Sequence, residues 1–257
     1  MSAHATSHPD PTAYGLRATR QPEQVPELVR TIPRCEDGAL AVFDADGTLW
    51  VNDVADDFTL WMIGEGHVPG ENWRTYQKIY AADHPAGCRY LLGFFTGMTI
   101  ARLTELCEHY WLHHAKRKWV WEVVEALYDL DEKGYPIWVV SGTPTDFLLP
   151  LRHIIRVDEV VGMDFELDAE GRITGRHAGI SCAGEGKAEK LRSLVGERKV
   201  RFCCGNGSLD GPMMLMAEIA WSVYPNPEFA EYSRQQGWPI LPRPPDFVEE
   251  EKFTIKV

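Results

Sequence analysis

Residues 39–48 read Ala39-Leu40-Ala41-Val42-Phe43-Asp44-Ala45-Asp46-Gly47-Thr48, an apolar run that stops at a turn carrying two carboxylates. A short apolar run closed by Asp and Gly predicts a buried strand. Runs over 136–142, 200–207 and 220–224 have the same character. Between them, spacing near 3.6 predicts helices over 121–132, 145–155, 186–195 and 209–219. Strands alternating with helices predict an α/β fold, a Rossmann-like parallel sheet flanked by helices.

Two segments break the alternation. About 90 residues separate the first two strands, far more than the 2–6 loop residues plus a helix of an ordinary crossover. They predict a mostly helical subdomain inserted over 53–130. The core is then 37–52 with 131–257, and 1–36 is an N-terminal extension whose opening dozen residues form a tail. The stretch FELDAEGRITG, 165–175, predicts a projecting β-hairpin. The final PRPPDFVEEEKFTIKV, 242–257, is expected to wrap the surface or fray.

Composition narrows the function classes. The 257 residues include 38 acidic and 26 basic side chains, a net charge of −12, which argues against a nucleic-acid partner. No apolar run reaches the ~18 residues of a membrane span, so no membrane partner is expected. Cys35, Cys88, Cys107, Cys182, Cys203 and Cys204 show no CxxC spacing, so neither a zinc site nor a disulfide framework is indicated. Cys203 and Cys204 read as small buried hydrophobes. The opening MSAHATSHPDPTAYG has neither the basic flank nor the apolar stretch of a secretory signal, and the expected compartment is the reducing cytoplasm. The oligomeric state stays open.

Polar groups collect where strands end, the edge at which parallel sheets bind ligands. Asp44 and Asp46 suit a hard cation, and one carboxylate can act as a nucleophile; an Asx-turn is the plain alternative. Ser141-Gly142-Thr143-Pro144 suits an anion, or simply caps a helix. Lys187 opens a helix between glycines, and Gly205-Asn206-Gly207-Ser208-Leu209-Asp210-Gly211-Pro212 is again a strand, turn and helix start.

In this order, Asp-x-Asp-Gly-Thr, Ser-Gly-Thr, Lys and Gly-Asn-Gly-x-x-Asp resemble the four motifs of the haloacid dehalogenase superfamily, from Phe43 to about Tyr224. FDADGTLWVND, EGKAEKL and DGPMM resemble its phosphoserine phosphatase-like branch, whose helical cap sits between the first two motifs. The resemblance implies that Asp44 attacks phosphorus and Asp46 serves as general acid and base. It implies that Thr48, Ser141, Gly142 and Lys187 hold the phosphate, and that Asp44, Asp46, Asn206 and Asp210 hold Mg²⁺. An acid at Asp46 favours phosphotransfer over dehalogenation, because an alkoxide needs a proton and a halide does not.

The expected activity is Mg²⁺-dependent hydrolysis of a small phosphomonoester, such as phosphoserine, phosphocholine or a similar amino-alcohol phosphate. A phosphotransferase or mutase, and a non-catalytic phospholigand-binding protein, are the alternatives. The last is motivated by Asn206, which stands where the branch usually has Asp, and by Leu209, which replaces a polar residue. Asp53 falls near the branch's ammonium-binding glutamate; it reads equally as a helix N-cap. Arg89 is a poor match to the branch's carboxylate-binding arginine. The cap aromatics, among them Trp61, Trp73, Tyr76 and Tyr80, read as a cage for a quaternary ammonium or as the cap's own core. His109 and His113, one turn apart, are spaced to ligate a metal, although a solvated face with Lys116, Arg117 and Lys118 is the simpler expectation.

Overall fold

The computed structural model describes residues 11–115 and 117–245. The first ten residues, Lys116 and the last twelve, on which parts of the tail, basic-stretch and C-terminal expectations fall, lie outside the described residues.

Seven strands form one sheet: β1 (Leu40–Phe43), β2 (Ile137–Pro144), β3 (Glu159–Leu167), β4 (Ile173–Ala178), β5 (Val200–Gly205), β6 (Ala217–Val223) and β7 (Ile240–Leu241). Their order is β4-β3-β2-β1-β5-β6-β7, parallel throughout except for the antiparallel pair β3–β4. β1 is central, and Leu40, Ala41, Val42 and Phe43 have no solvent exposure. That burial is what a continuous apolar run without alternation requires, since helices cover both faces of a parallel sheet.

The helices are α1 (Glu27–Arg30), α2 (Val54–Gly64), α3 (Trp73–Ala82), α4 (His84–Leu91), α5 (Ile100–His113), α6 (Trp121–Glu132), α7 (Thr145–Leu148), α8 (Leu151–Ile154), α9 (Glu185–Val195), α10 (Gly211–Met214) and α11 (Pro227–Gln235). Five of them, α2 to α6, lie between β1 and β2. Side chains start several of these helices: Asp53 accepts from the Asp56 amide at 3.0 Å, Asp83 from Ala86 at 3.0 Å and Thr99 from Arg102 at 3.3 Å. Most of the aromatic residues here are core: Trp73, Tyr76, Phe94, Phe95, Tyr110 and Trp111 are buried. α6 buries Val123, Val124, Ala126 and Leu127 and packs on β2 and α1.

The structure departs from the sequence reading in four places. The helix over 145–155 is two short helices, because Pro150 has no amide proton to continue the first. The helix over 209–219 is only α10, and residues from Ala217 onward join β6 instead, paired with Val200 on β5. The first arm of the hairpin extends back to Glu159; its start is a core strand parallel to β2. The pair Ile240–Leu241 adds an edge strand too short to show periodicity. Cys203 and Cys204 are fully buried, and all six cysteines are free. Among the described residues no helix is long and apolar enough to cross a membrane.

Candidate active site

The carboxyl ends of β1, β2 and β5 and the first turn of α9 meet at one end of the sheet. Asp44 follows β1, and its amide donates to the Cys204 carbonyl at 3.0 Å, tying it to β5. The residue is 3 % exposed. Lys187 Nζ lies 2.6 Å from Asp44 Oδ1 and 2.6 Å from Asp210 Oδ1. Thr48 Oγ1 donates to Asp44 Oδ2 at 2.7 Å. Burial first, then the charge of Asp210, pushes the Asp44 carboxyl up to about 6, against the opposing pull of Lys187. Burial disfavours the Lys187 cation, but the two carboxylates outweigh it and hold the ammonium above its ordinary range.

Asp46 is held by four donors from three segments. Oδ1 accepts from Trp50 Nε1 at 2.9 Å and from the Val54 amide at 2.7 Å. Oδ2 accepts from Thr143 Oγ1 at 2.7 Å and lies 3.4 Å from Ser141 Oγ. Burial, followed by the nearby charge of Asp53, pushes this carboxyl up to about 7. A carboxyl with that value exists in both protonation states near neutral pH, the condition for donating and accepting a proton in one cycle. Trp50 and Thr143 were not singled out in the sequence. Thr143 carried a signal, a second hydroxyl beside Ser141; Trp50 carried none, because an indole after a turn reads as core.

Gly47 has a φ of 79°, and a Cβ there would lie 2.0 Å from Asn206 Nδ2. Only glycine lets the two loops approach this closely. Asp210 clamps the second loop: Oδ2 accepts from the Asn206 amide at 2.9 Å and the Gly207 amide at 3.0 Å. With Oδ1 on Lys187, both Asp210 oxygens already serve the protein.

These groups open on a cavity of about 1450 Å³. Asp44, Asp46, Ser141, Gly142, Lys187, Asn206 and Asp210 all line it, and Asp53 faces it from the start of α2. Thr48 does not; it has no exposure, and its hydroxyl holds Asp44 instead of facing the space where a phosphate would sit. Asp53 is both a helix cap and a cavity residue, and Oδ2 accepts from the Tyr80 hydroxyl at 3.2 Å. Cys88 also lines the cavity, but burial and then the charge of Asp53 push its thiol up to about 12, so it is not a nucleophile at neutral pH.

Other candidates lie elsewhere. Arg89 is 3.5 Å from Ser181 Oγ and lines a separate hollow with Glu166 and Arg176. His109 faces His114, with 3.3 Å between Nε2 atoms. Arg117 corrects the expectation of a wholly solvated basic face: its side chain has no exposure and pairs with Asp57 at 2.9 Å.

Among the described residues no three His, Cys, Asp or Glu side chains are grouped to hold a metal. Mg²⁺ does not require such a cage, because it keeps several waters and takes one or two carboxylates plus substrate phosphate. Two buried carboxylates with raised proton affinity, beside the Asn206 amide, are a donor set that fits it.

A sequence profile of the haloacid dehalogenase-like hydrolase family matches residues 41–215. A histidinol-phosphatase of Neisseria meningitidis serogroup C (strain 8013) is 23 % identical over 219 residues, which is 79 % of this chain and 97 % of that protein. The fold is similar to a protein of unknown function from Bordetella pertussis Tohama I, with a TM-score of 0.70 and 19 % identity over 82 % of this chain and 99 % of that one. It is also similar to a phosphoserine phosphatase solved as a phospho-aspartyl intermediate analogue, with a TM-score of 0.55 and 18 % identity over 76 % of this chain and 91 % of that one. The four motifs, the parallel sheet that gathers them and the profile that spans them agree: this chain is a hydrolase of the haloacid dehalogenase-like family, with the phosphoserine phosphatase-like fold.

Proposed function

We propose that this hydrolase is a Mg²⁺-dependent phosphomonoesterase, acting on a small amino-alcohol phosphate through a phosphoryl group carried on Asp44. The observation that carries the reading is the contrast between two adjacent carboxyls. Burial raises both, to about 6 for Asp44 and about 7 for Asp46, but Asp44 is tied to the Lys187 cation and Thr48, while Asp46 meets only neutral donors, from Trp50, Val54, Ser141 and Thr143. In the first step an Asp44 oxygen attacks phosphorus, the P–O bond to the alcohol breaks, and Asp46 gives its proton to the departing oxygen. In the second, Asp46 takes a proton from water, the hydroxide attacks the phosphoryl group, and phosphate leaves with Asp44 restored. The phospho-aspartyl analogue of the structurally similar phosphatase supports the covalent step.

Lys187, the Gly142 amide and the Ser141 hydroxyl stabilise the phosphoryl oxygens as charge shifts onto them. Asp44, Asp46 and Asn206 would hold Mg²⁺, which would supply positive charge against the phosphate and the carboxylates. Asp210 acts on the metal indirectly, by clamping the Asn206 loop. Of the inserted segment over 53–130, the part from residue 53 through α5 supplies the cover over the phosphate site. α6 belongs with the core, as its packing on β2 supports. The Neisseria relative, by its name, acts on a phosphorylated amino-alcohol, which supports that substrate class.

The test is phosphate release from p-nitrophenyl phosphate and from phosphoserine, phosphocholine, phosphoethanolamine and histidinol phosphate, with and without Mg²⁺, for the wild type and Asp44→Asn. Metal-dependent release that falls on the order of 10³-fold or more in the variant is expected for loss of a nucleophile. Ligand-induced thermal stabilisation without release from any ester would overturn the reading in favour of a binding protein. Transfer to an added alcohol in preference to water would make the chain a phosphotransferase.

A further inference from the structure

The phosphatase chemistry leaves the histidines at the end of α5 without a role, and two of them face each other. α5 ends at His113, and His114 departs from helical geometry with a φ of −124°. The residue five positions after His109 thereby turns back against it, with 3.3 Å between the two Nε2 atoms. Among the described residues neither nitrogen has another hydrogen-bond partner. His113, one helical turn from His109, has its ring centre 4.7 Å from that of His109, but the nitrogen in direct contact comes from His114. Trp61 of α2 packs against both rings, 6.0 Å from His109 and 5.1 Å from His114 between ring centres. His109 and His114 are exposed, and His114 also lines the cavity, so the pair stands where the cavity meets solvent.

Two imidazole nitrogens held like this are poorly served by each other. N–H donors in proteins usually sit about 2.7–3.2 Å from their acceptor, closer than this pair. If both rings are protonated, one N–H is turned against another, because an imidazolium has no acceptor. A metal ion satisfies both lone pairs at once. Zn–N bonds of about 2.0–2.1 Å at the tetrahedral angle place two ligating nitrogens about 3.3–3.4 Å apart. That is the separation between His109 and His114. Imidazole suits Zn²⁺, Ni²⁺ and Cu²⁺, whereas Mg²⁺ takes oxygen ligands.

We propose that His109 and His114 form a second metal site, at the rim of the cavity, for a divalent transition-metal ion such as Zn²⁺. It is distinct in place and in donor chemistry from the carboxylates on the floor, Asp44 and Asp46. Among the described residues no third His, Cys, Asp or Glu completes the group, so water fills the other positions. A closed structural zinc site has four protein ligands. This one, with two, holds an ion that exchanges with solvent, and the fold does not depend on it. When bound, the ion ties the last turn of α5 to the residue that ends it, so it stabilises the folded state by mass action.

The experiment is calorimetric titration with Zn²⁺ of the full chain without a polyhistidine tag, in excess Mg²⁺. The Mg²⁺ competes for the oxygen ligands of the floor and leaves imidazole free. The wild type is compared with His109→Ala, His114→Ala and His67→Ala. His67 is the matched control, an exposed histidine that also packs on Trp61, at 5.6 Å, but lies outside the pair. The expected result is one ion per chain in the wild type, bound at least tenfold more weakly by either His109→Ala or His114→Ala and equally well by His67→Ala. Zn²⁺ should also raise the thermal midpoint of the wild type and of His67→Ala, and leave those of the other two variants unmoved. The metal-free midpoints of the four proteins separate loss of the site from loss of the fold. No binding by the wild type, or equal binding by His109→Ala, would overturn the site; the second result would assign the ion to the thiols or the floor. Neither measurement needs turnover, so the rim site stands or falls apart from the phosphatase reading.

Discussion

The floor of the cavity and the wall facing it are both acidic, yet they handle charge in opposite ways. On the floor every carboxylate oxygen of Asp44, Asp46 and Asp210 has at least one protein donor, and Lys187 binds two of the three groups. On the wall, among the described residues, Asp53 accepts from the Tyr80 hydroxyl and a helix amide, and Asn52 Oδ1 has no hydrogen-bond partner. A floor organised in this way is set before substrate arrives, which is where transition-state stabilisation gains most. The difference separates a floor whose carboxylates are held by the protein itself from a wall whose polar groups are less fully engaged.

The sharpest way to break the floor is Lys187→Met. It leaves Asp44 and Asp210 buried together without their shared cation, and losing one partner of a buried ion pair typically costs about 3–5 kcal/mol. The thermal midpoint should drop by roughly 10 °C at pH 8. Because acid protonates the orphaned carboxyls, the drop should shrink at pH 5; an equal drop at both pH values would mean that packing, not charge, was lost.

Asp46→Asn tests the same region more gently, in the protein freed of metal. The folded carboxyl is raised to about 7 from an ordinary 3.8, so the folded state holds the proton more tightly than the unfolded state. This group's contribution to stability therefore falls as pH rises from about 4 to 7 and is constant beyond. Each unit of difference corresponds to about 1.4 kcal/mol. The variant should be more stable than wild type by on the order of 2 kcal/mol at pH 8 and no more stable at pH 4, as measured by urea unfolding. A gain that does not vary with pH would remove burial of charge as its cause.

The smallest expected effect is at Asn206→Asp, where floor and loop meet. An added anionic ligand should lower the Mg²⁺ concentration for half-maximal activity roughly tenfold, since hard-cation affinity follows ligand charge. No change in titrations of activity against Mg²⁺ would place Asn206 outside the metal's reach.

Much of this was legible in the residues because strand burial and turn chemistry are local. The apolar run ending at Asp44, the glycine that lets Asp44's loop meet Asn206, and the helix opened by Lys187 all announce themselves within a few positions. Where local pattern competed with sheet pairing, pairing won: residues 217–219 read as the end of a helix and are the start of β6, because backbone groups beside β5 must be hydrogen-bonded. The partner of Thr48 is not legible locally, since a hydroxyl four residues from a carboxylate can serve the carboxylate or a ligand; the loop's path sets it 2.7 Å from Asp44 Oδ2.

By itself the sequence determined the α/β class, the order of the motifs and the chemical types brought to the sheet edge, because these depend on short-range periodicity and turn geometry. Only the tertiary structure decided which donors hold Asp46, that Arg89 and Arg117 are turned away from the cavity, and that Asp53 and Asn52 face it. Those outcomes depend on how residues far apart in the chain share one low-dielectric space. There, burial and neighbouring charge set the proton affinity of a carboxyl, and no short stretch of sequence contains either.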